Sequence, residues 1–362
     1  MPAYDKVREL VIMDICCAIR RKTRQIMNGV NSANCCKSQS IFRKILSVLG
    51  LISSFSLGYV YMYNRPGLKE RGLQVAELTP GIKRYIHEIT ERQESLQTTP
   101  STKNVRILCL ILTSAVTLKS RASVVNATWA RRCDRHFYVL NTKRRSPDII
   151  NSPFDETRNN IVHKVKFALN FIYENEIETF DWLLKADDDT YVIIENLKFL
   201  LKRRDSKKPA YLGFHFNKFV SSGYMSGGAG YVISNSALRH LVEFGFNQEK
   251  CPVVPNEEDP ENSEDIEIGR CLNISGVPAL SSLDEAGRER FHPYPVQKHL
   301  LGSIPEFVFE WAKNPHKVGV ECCSKYSISF HYMDASTMLL VDHLLYRTSV
   351  FGLNLNDDST KQ

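Results

Sequence analysis

The alternation of polar and apolar positions divides the chain into four stretches. Residues 1–44 are largely polar and basic. Residues 45–63 form a run of 19 residues without a charge, long enough as a helix to span a hydrocarbon core of about 30 Å. Residues 64–103 combine Pro, Gly and polar residues, which is typical of a stem. They contain a short amphipathic helix with apolar positions Ile82, Tyr85, Ile86 and Ile89. Strands and helices alternate beyond this point, so we predict a folded domain over 104–362.

The pattern in that domain predicts an α/β fold. Val105–Ser114 is a continuous apolar strand of the kind buried on both faces of a parallel sheet, and Arg135–Thr142 is predicted to be the next strand. A helix is predicted from near Arg121 to Trp129, and residues 159–176 place apolar side chains at helical spacing. Another strand begins at Trp182–Leu184. We therefore predict an open, mostly parallel sheet with flanking helices, in which ligands bind beyond the carboxyl ends of the strands.

Charge is unevenly distributed along the chain, whose formal net charge is +7. Residues 1–44 hold nine Lys/Arg and three Asp/Glu, so nearly all of the positive surplus lies there. A nucleic-acid-binding protein would carry its surplus on the folded domain. We therefore exclude nucleic acid as a partner.

Two features that follow the uncharged run favour a secretory compartment for the folded domain. Asn126-Ala127-Thr128 and Asn273-Ile274-Ser275 are sequons, which are glycosylated only in the secretory lumen. Six cysteines also follow the run, and an even number suits disulfides. A cleaved signal peptide would begin nearer the terminus. We therefore predict an uncleaved, single-pass type II signal-anchor at 45–63, with residues 1–44 in the cytosol; a helix buried in protein is the alternative.

Three consecutive aspartates, Asp187, Asp188 and Asp189, follow the strand that begins at Trp182. An acidic turn in contact with solvent is one explanation. The aspartates are, however, flanked by apolar residues and lie at a predicted strand end, where α/β sheets bind ligands. Clustered carboxylates that cannot all be solvated need a cation to balance their charge. Oxygen ligands of this kind suit Mn²⁺ or Mg²⁺, often together with a diphosphate. The run therefore indicates a metal site, and a nucleotide-sugar diphosphate is a candidate ligand.

Five motifs occur in a defined order: DWLLKADDDTYVIIENL, GYMSGGAGYVIS, EDIEIGRCL, FHPY and ECCSKYSISFHYMD. Together they resemble the core 1 galactosyltransferases of the β1,3-glycosyltransferase family that also includes Fringe, from about Val105 to Phe351. The resemblance implies a GT-A fold and an inverting transfer of galactose from UDP-galactose to GalNAc-Ser/Thr of glycoproteins, with Mn²⁺ as cofactor. The signal-anchor, stem and lumenal domain fit the family's layout in the Golgi membrane. A homodimer is left open.

The resemblance also assigns roles to single residues. Asp189 is the preferred metal ligand, followed by Asp187, and His331 completes the site; from the residues alone, a core histidine on a strand is the simpler explanation. Asp265 matches the base that takes the proton of the acceptor hydroxyl. A helix start with Ser263 or Asp265 as its cap explains the same segment.

Binding roles follow in the same way. Donor binding is assigned to Asp187, Asp188, Lys164, Gly227 and Gly228. The glycines allow a close backbone approach to a sugar, or alternatively a tight turn between strands, and their spacing matches neither the Walker nor the Rossmann motif. Trp311 is assigned to the acceptor, because an aromatic ring suits the face of a sugar.

The resemblance further implies three disulfides: Cys109–Cys133, Cys251–Cys271 and the adjacent Cys322–Cys323. Two departures from the family pattern stand out. The family's Trp-Lys-Thr is replaced by His163-Lys164-Val165, and the segment around Trp311 has lost aromatic residues. Donor binding is therefore expected to be preserved, whereas acceptor binding is expected to be weaker or different.

Two competing hypotheses remain from the sequence. One is a related β1,3-glycosyltransferase with another donor or acceptor, which the altered segment near Trp311 supports. The other is a non-catalytic, chaperone-like paralogue, which in the family lacks the aspartate motif. The intact Asp187–Asp189, Asp265 and His331 argue against this second hypothesis.

Overall fold

The computed structural model describes residues 78–91, 105–249, 251 and 263–349. These residues belong to one compact unit, Val75–Gln362. The predicted cytosolic tail, the signal-anchor at 45–63 and most of the predicted stem lie outside the described residues. Within the described ranges, no helix is both long enough and apolar enough to cross a membrane.

Short strands and helices alternate along the described part of the chain. The strands are β1 (Ile107–Leu112), β2 (Arg135–Leu140), β3 (Ile149–Asn151), β4 (Trp182–Asp187), β5 (Tyr191–Val192), β6 (Tyr211–Gly213), β7 (His215–Phe216), β8 (Tyr224–Met225), β9 (Tyr231–Ser234), β10 (Phe291–His292) and β11 (Ser329–Phe330). The α-helices are α1 (Pro80–Glu91), α2 (Ser123–Ala127), α3 (Ile161–Glu176), α4 (Ile194–Leu201), α5 (Asn235–Glu243), α6 (Glu264–Ile274), α7 (Val296–Leu301), α8 (Glu306–Trp311) and α9 (Ala335–Tyr346).

A six-stranded sheet with the order β3-β2-β1-β4-β9-β6 forms the centre of the domain. The pairs β3–β2, β2–β1 and β1–β4 are parallel, while β9 is antiparallel to both β4 and β6. The sheet is therefore mixed, and the predicted α/β class is confirmed. Two smaller sheets, β10-β11-β5 and β7-β8, adjoin it.

Successive side chains of β1 are buried in two different cores. Ile107, Cys109 and Ile111 belong to the core that contains Trp129. Leu108 and Leu110 belong to the core that contains the apolar side chains of α3. Because successive strand side chains point to opposite faces of a sheet, a strand without a polar position is buried on both faces. This explains why the first strand was predictable from its apolar run.

Two predicted helices differ in detail from the expectation. The helix predicted from Arg121 to Trp129 is divided into a π-helical turn, Leu118–Ala122, and the short α2. The helix predicted within the stem is α1, and it packs against the domain, because Ile89 is buried and the Tyr85 hydroxyl lies 2.8 Å from His343 Nδ1. α1 is therefore part of the folded unit.

Three disulfides join the pairs that the family resemblance implied. Cys109–Cys133 connects β1 to the segment that precedes β2. Cys251–Cys271 connects α6 to the segment that follows α5, and Cys322–Cys323 joins adjacent residues before β11. Of the two sequon asparagines, Asn126 is exposed on α2, whereas Asn273 is partly buried and donates to Ser221 Oγ at 3.1 Å.

A buried ion pair links α9 to the segment that precedes β2. Arg132 donates to Asp342 Oδ1 at 2.7 Å, and the Tyr191 hydroxyl donates to the same oxygen at 3.1 Å. Both charged side chains are almost completely buried. Removal of one partner would leave the other charge buried without compensation.

We therefore expect Asp342→Leu to lower the free energy of unfolding by about 3–5 kcal/mol, the usual cost of breaking a buried pair. Denaturant unfolding of the full-length chain would measure it. The double variant Arg132→Met/Asp342→Leu should recover much of the loss, because it removes both charges. A loss below about 1 kcal/mol in the single variant would show that the pair is not a structural anchor.

Candidate active site

β4 brings the three aspartates to the carboxyl edge of the central sheet. Asp187 is the last residue of β4 and is paired in register with Leu112, the last residue of β1. β2 lies on the other side of β1, so the order of the strands reverses between β1 and β4. Open α/β sheets bind ligands at such a switch point. The aspartates thus lie at the predicted strand end, in the part of the sheet where a ligand is expected.

Asp188 differs from its two neighbours because its carboxylate points into the protein. It accepts a hydrogen bond from Thr113 Oγ1 at 2.7 Å, and Arg121 lies 3.5 Å away. Burial raises the pKa of Asp188, and hydrogen bonds from Thr117 and Thr113 oppose that shift. Asp188 therefore joins the ends of β1 and β4, and its carboxylate is not part of the group described next.

Asp187, Asp189 and His331 form a group whose ligand atoms all lie within 4.8 Å of one another. His331 Nε2 is 3.1 Å from Asp189 Oδ1 and 3.9 Å from Asp187 Oδ2. Burial tends to raise the pKa of Asp189, but His331 and Arg121 outweigh it, so this pKa lies below its usual value. Two carboxylates and one imidazole suit a divalent cation such as Mn²⁺. The donor set therefore fits a metal ion of this class.

His331 reaches the aspartates because Gly228 leaves room for its ring. The pairing of β11 with β5 and β10 places the backbone that leads to His331. A Cβ on Gly228 would lie 2.1 Å from His331 Cε1. The Thr190 hydroxyl also donates to the Gly228 carbonyl at 2.7 Å, which ties the glycine loop to the aspartate turn. The structure thus gives Gly228 a packing role that was not predicted from the sequence.

Asp265 lies in the first turn of α6, where Ser263 is the N-cap residue but makes no side-chain capping bond. Asp265 Oδ2 accepts from the backbone N–H of Gly227 at 2.8 Å, and Oδ1 accepts from that of Ile266 at 3.0 Å. Burial raises the pKa of Asp265, although the Gly227 N–H and the charge of Lys185 oppose the shift. A raised pKa makes a carboxylate a stronger base, which suits proton transfer.

Lys185 and Glu264 form a buried pair between Asp187 and α6 that was not predicted from the sequence as part of the site. Lys185 Nζ lies 2.7 Å from Asp187 Oδ1 and 3.0 Å from Glu264 Oε2. Burial favours a lower pKa for Lys185, but the two carboxylates outweigh burial and the pKa lies above its usual value. A sequence signal did exist, because a lysine interrupts the apolar strand two residues before Asp187 and therefore shares its face.

Asp187, Asp265 and His331 line a single cleft of about 570 Å³. Clefts of this size are typical of small-molecule sites. Trp311, Phe307 and Phe219 line the same cleft, with ring centroids of Phe307 and Phe219 at 4.9 Å and 5.1 Å from that of Trp311. Phe307 lies on the same helix as Trp311, four residues earlier, whereas Phe219 reaches Trp311 from a distant segment of the chain. The cleft thus has an aromatic wall of three rings, and weaker or different acceptor binding stays a prediction.

Two residues of the cleft adopt backbone conformations that non-glycine residues rarely take. Within the described residues, Phe219 and Tyr332 are the two non-glycine positions with positive φ, at 60° and 56°. Such strain costs about 1–3 kcal/mol per residue and tends to occur at functional sites. Both residues line the cleft, and Tyr332 directly follows His331. The distribution of backbone strain therefore points to the same site as the carboxylates.

The two remaining residues assigned to donor binding occupy different positions. Gly227 lines the cleft and donates its N–H to Asp265. Lys164 is buried on α3, where its ammonium donates to the Thr113 carbonyl at 2.7 Å and is paired with Glu156. Lys164 therefore supports the end of β1 from behind the cleft, and direct contact with a donor stays a prediction.

Comparison with known proteins identifies the family. The family model described as Fringe-like matches residues 102–283. Over 312 residues the chain is 31% identical to the glycoprotein-N-acetylgalactosamine 3-beta-galactosyltransferase 1 of Xenopus laevis, covering 84% of each chain. The chain belongs to the Fringe-like family.

More distant similarities extend to other glycosyltransferases. The chain is 27% identical over 203 residues to a beta-1,3-glucosyltransferase of Mus musculus, covering 55% of this chain and 39% of that protein. A solved glycosyltransferase involved in glycosylation of the major capsid of PBCV-1 aligns with a TM-score of 0.36 at 14% identity, over 66% of this chain and 99% of that one. The Fringe-like match contains Asp187–Asp189 and Asp265, while Trp311 and His331 lie beyond it.

Gly228→Ala tests whether metal binding by Asp187, Asp189 and His331, called the metal group below, depends on the space that Gly228 leaves beside His331. The added methyl would overlap the ring, so we expect the affinity for Mn²⁺, measured by titration calorimetry on the full-length chain, to fall by about tenfold or more. Gly81→Ala is the matched control, because its Cβ would meet no atom closer than 4.0 Å. Unchanged Mn²⁺ affinity in Gly228→Ala would show that His331 is not a ligand in this position.

Proposed function

We propose that the protein is an inverting glycosyltransferase that transfers galactose from UDP-galactose, in β1,3 linkage, to GalNAc-Ser/Thr of glycoproteins. The observation that carries the proposal is the convergence on one cleft of the group Asp187, Asp189 and His331 with the base candidate Asp265. The Xenopus laevis relative, similar over most of both chains, bears the name of this activity.

The chain's own groups account for the chemistry of a single displacement. An inverting transfer needs one base and no carboxylate nucleophile. Asp265 is that base: it is held by the Gly227 and Ile266 N–H groups, faces the cleft and has a raised pKa. Mn²⁺ held by Asp187, Asp189 and His331 would stabilise the charge of the departing diphosphate. We propose Mn²⁺ as the cofactor on the basis of this donor set and the family resemblance.

The aromatic part of the cleft supports a sugar as acceptor. The rings of Trp311, Phe307 and Phe219 offer apolar faces beside polar groups, the combination that recognises a sugar ring. Lys218 lies over the Trp311 ring, with Nζ 5.1 Å from the centroid. We therefore place the GalNAc of the acceptor at this wall, with its hydroxyl directed toward Asp265.

A second candidate is a β1,3-transferase with another donor sugar. The similarity to a mouse beta-1,3-glucosyltransferase favours it as an alternative. Galactose and glucose differ in the configuration of a single hydroxyl, so a comparison of UDP-galactose with UDP-glucose as donor distinguishes the two candidates.

We also propose that the protein is a single-pass type II Golgi membrane protein with its catalytic domain in the lumen. The uncharged run at 45–63 and the family resemblance support this proposal, although the run itself lies outside the described residues. The three disulfides fit an oxidising lumen, and the exposed Asn126 is accessible for glycosylation there.

The direct test is transfer by the full-length chain from UDP-galactose, UDP-glucose and UDP-GalNAc to GalNAc-peptide and to a panel of other acceptors. We expect galactosyl transfer to GalNAc-peptide that requires Mn²⁺ and is lost in excess EDTA. Asp189→Ala should lose metal-dependent UDP binding as well as turnover. Full transfer in EDTA, or normal UDP–Mn²⁺ affinity in Asp189→Ala, would contradict the assigned metal group.

Asp265→Asn separates the base from a structural role in the first turn of α6. Asparagine keeps an oxygen that can accept from a backbone N–H, as Asp265 does from Gly227 and Ile266, but it cannot accept a proton at neutral pH. We expect kcat to fall by about 10²–10⁴, with donor and metal affinity retained. In the parent chain, kcat should also fall as the pH drops through the raised pKa of Asp265, since the protonated carboxyl is not a base. A near-normal kcat in Asp265→Asn would refute the assignment.

A further inference from the structure

The ammonium of Lys185 contacts three segments that build the candidate site. It donates to Asp187 at the end of β4 at 2.7 Å and pairs with Glu264 at the start of α6 at 3.0 Å. It also donates to the carbonyl of Gly227 in the glycine loop at 3.4 Å. The Lys185 side chain is almost completely buried, so these contacts are not shared with bulk solvent.

The contact with Asp187 determines which of its oxygens is available to a ligand. Lys185 occupies Oδ1, whereas Oδ2 is the oxygen that faces His331 Nε2 at 3.9 Å. A carboxylate held at one oxygen has little freedom to rotate. Groups that hold a ligand from behind in this way commonly change metal affinity by about 10–100-fold when they are removed.

The contacts with Glu264 and Gly227 hold the base from two sides. Glu264 is buried beside Asp265 and also accepts a hydrogen bond from the Tyr231 hydroxyl at 2.8 Å. Gly227 accepts from Lys185 through its carbonyl and donates its N–H to Asp265. The ammonium of Lys185 thus connects the metal group to the start of α6 and to the glycine loop, the two segments that position Asp265.

We propose that Lys185 is the positioning residue that fixes the metal group relative to the base. The proposal rests on the proposed function for the role of Asp265, but its effect on the metal group can be measured without turnover. The simpler alternative is that Lys185 only neutralises the buried Glu264. The two explanations differ in what happens when Glu264 loses its charge as well.

The test compares Lys185→Met, the double variant Lys185→Met/Glu264→Gln and the control Lys198→Met in the full-length chain. Lys198 forms a separate ion pair with Asp134 at 2.8 Å, away from the cleft residues. Each protein is measured twice, as the melting temperature of the metal-free form and as Mn²⁺ affinity by titration calorimetry.

We expect Lys185→Met to melt at a much lower temperature, because the buried Glu264 loses its counter-charge and keeps only the hydrogen bond from Tyr231. The double variant should recover most of that loss, since the unpaired charge is gone. Its Mn²⁺ affinity should nevertheless stay about tenfold or more below that of the parent chain, because Asp187 still lacks its support. Lys198→Met should bind Mn²⁺ within about twofold of the parent chain, the spread expected for a distant site.

Recovery of both stability and Mn²⁺ affinity in the double variant would overturn the positioning role, because charge neutralisation would then explain everything. If the double variant recovered neither stability nor Mn²⁺ affinity, the positioning role would also be contradicted, because a damaged core would then explain both losses. A parent chain that binds Mn²⁺ but transfers no sugar contradicts the proposed function alone. A parent chain that binds no Mn²⁺ contradicts both proposals.

Discussion

The crowding of carboxylates at one edge of a buried sheet is the constraint on which the rest of the site depends. Asp187, Asp188, Asp189, Glu264 and Asp265 all lie at or behind one cleft. Two like charges 4 Å apart repel by about 4 kcal/mol at an effective dielectric constant of 20. Hydrogen-bond donors and two shared cations, Lys185 and Arg121, offset this repulsion.

The hydrogen-bond and ion-pair partners of the five carboxylates distinguish those with a structural role from those available to a ligand. Asp188 is bound by Thr113 and Glu264 by Lys185 and Tyr231, so both are satisfied inside the protein. In the described residues, the permanent cations that contact the five carboxylates are Lys185 and Arg121, which leaves a formal surplus of negative charge. Asp187 and Asp189 contribute to that surplus at the point where they face His331. A divalent cation at this point would balance it, which is why the metal group and the fold are parts of the same electrostatic arrangement.

Much of this arrangement could be predicted from sequence because local patterns encode it. The apolar run of β1 and the helical spacing in α3 identified the α/β class, and the aspartate run after an apolar strand identified the ligand edge. The different environments of the three aspartates could not be predicted, because they depend on contacts with Thr113 and Arg121. These two residues come close to the aspartates only in the folded chain. The same is true of the aromatic wall, where Phe219 approaches Trp311 from a distant segment of the chain.

We infer that His331, Asp187 and Asp189 bind one metal ion together. Pulsed electron paramagnetic resonance of Mn²⁺ bound to the full-length chain tests it most directly, because a coordinated imidazole nitrogen couples to the manganese electron spins. We expect a single histidine nitrogen coupling in the parent chain and its disappearance in His331→Ala. A bound Mn²⁺ without nitrogen coupling, or a coupling that survives in His331→Ala, would contradict it.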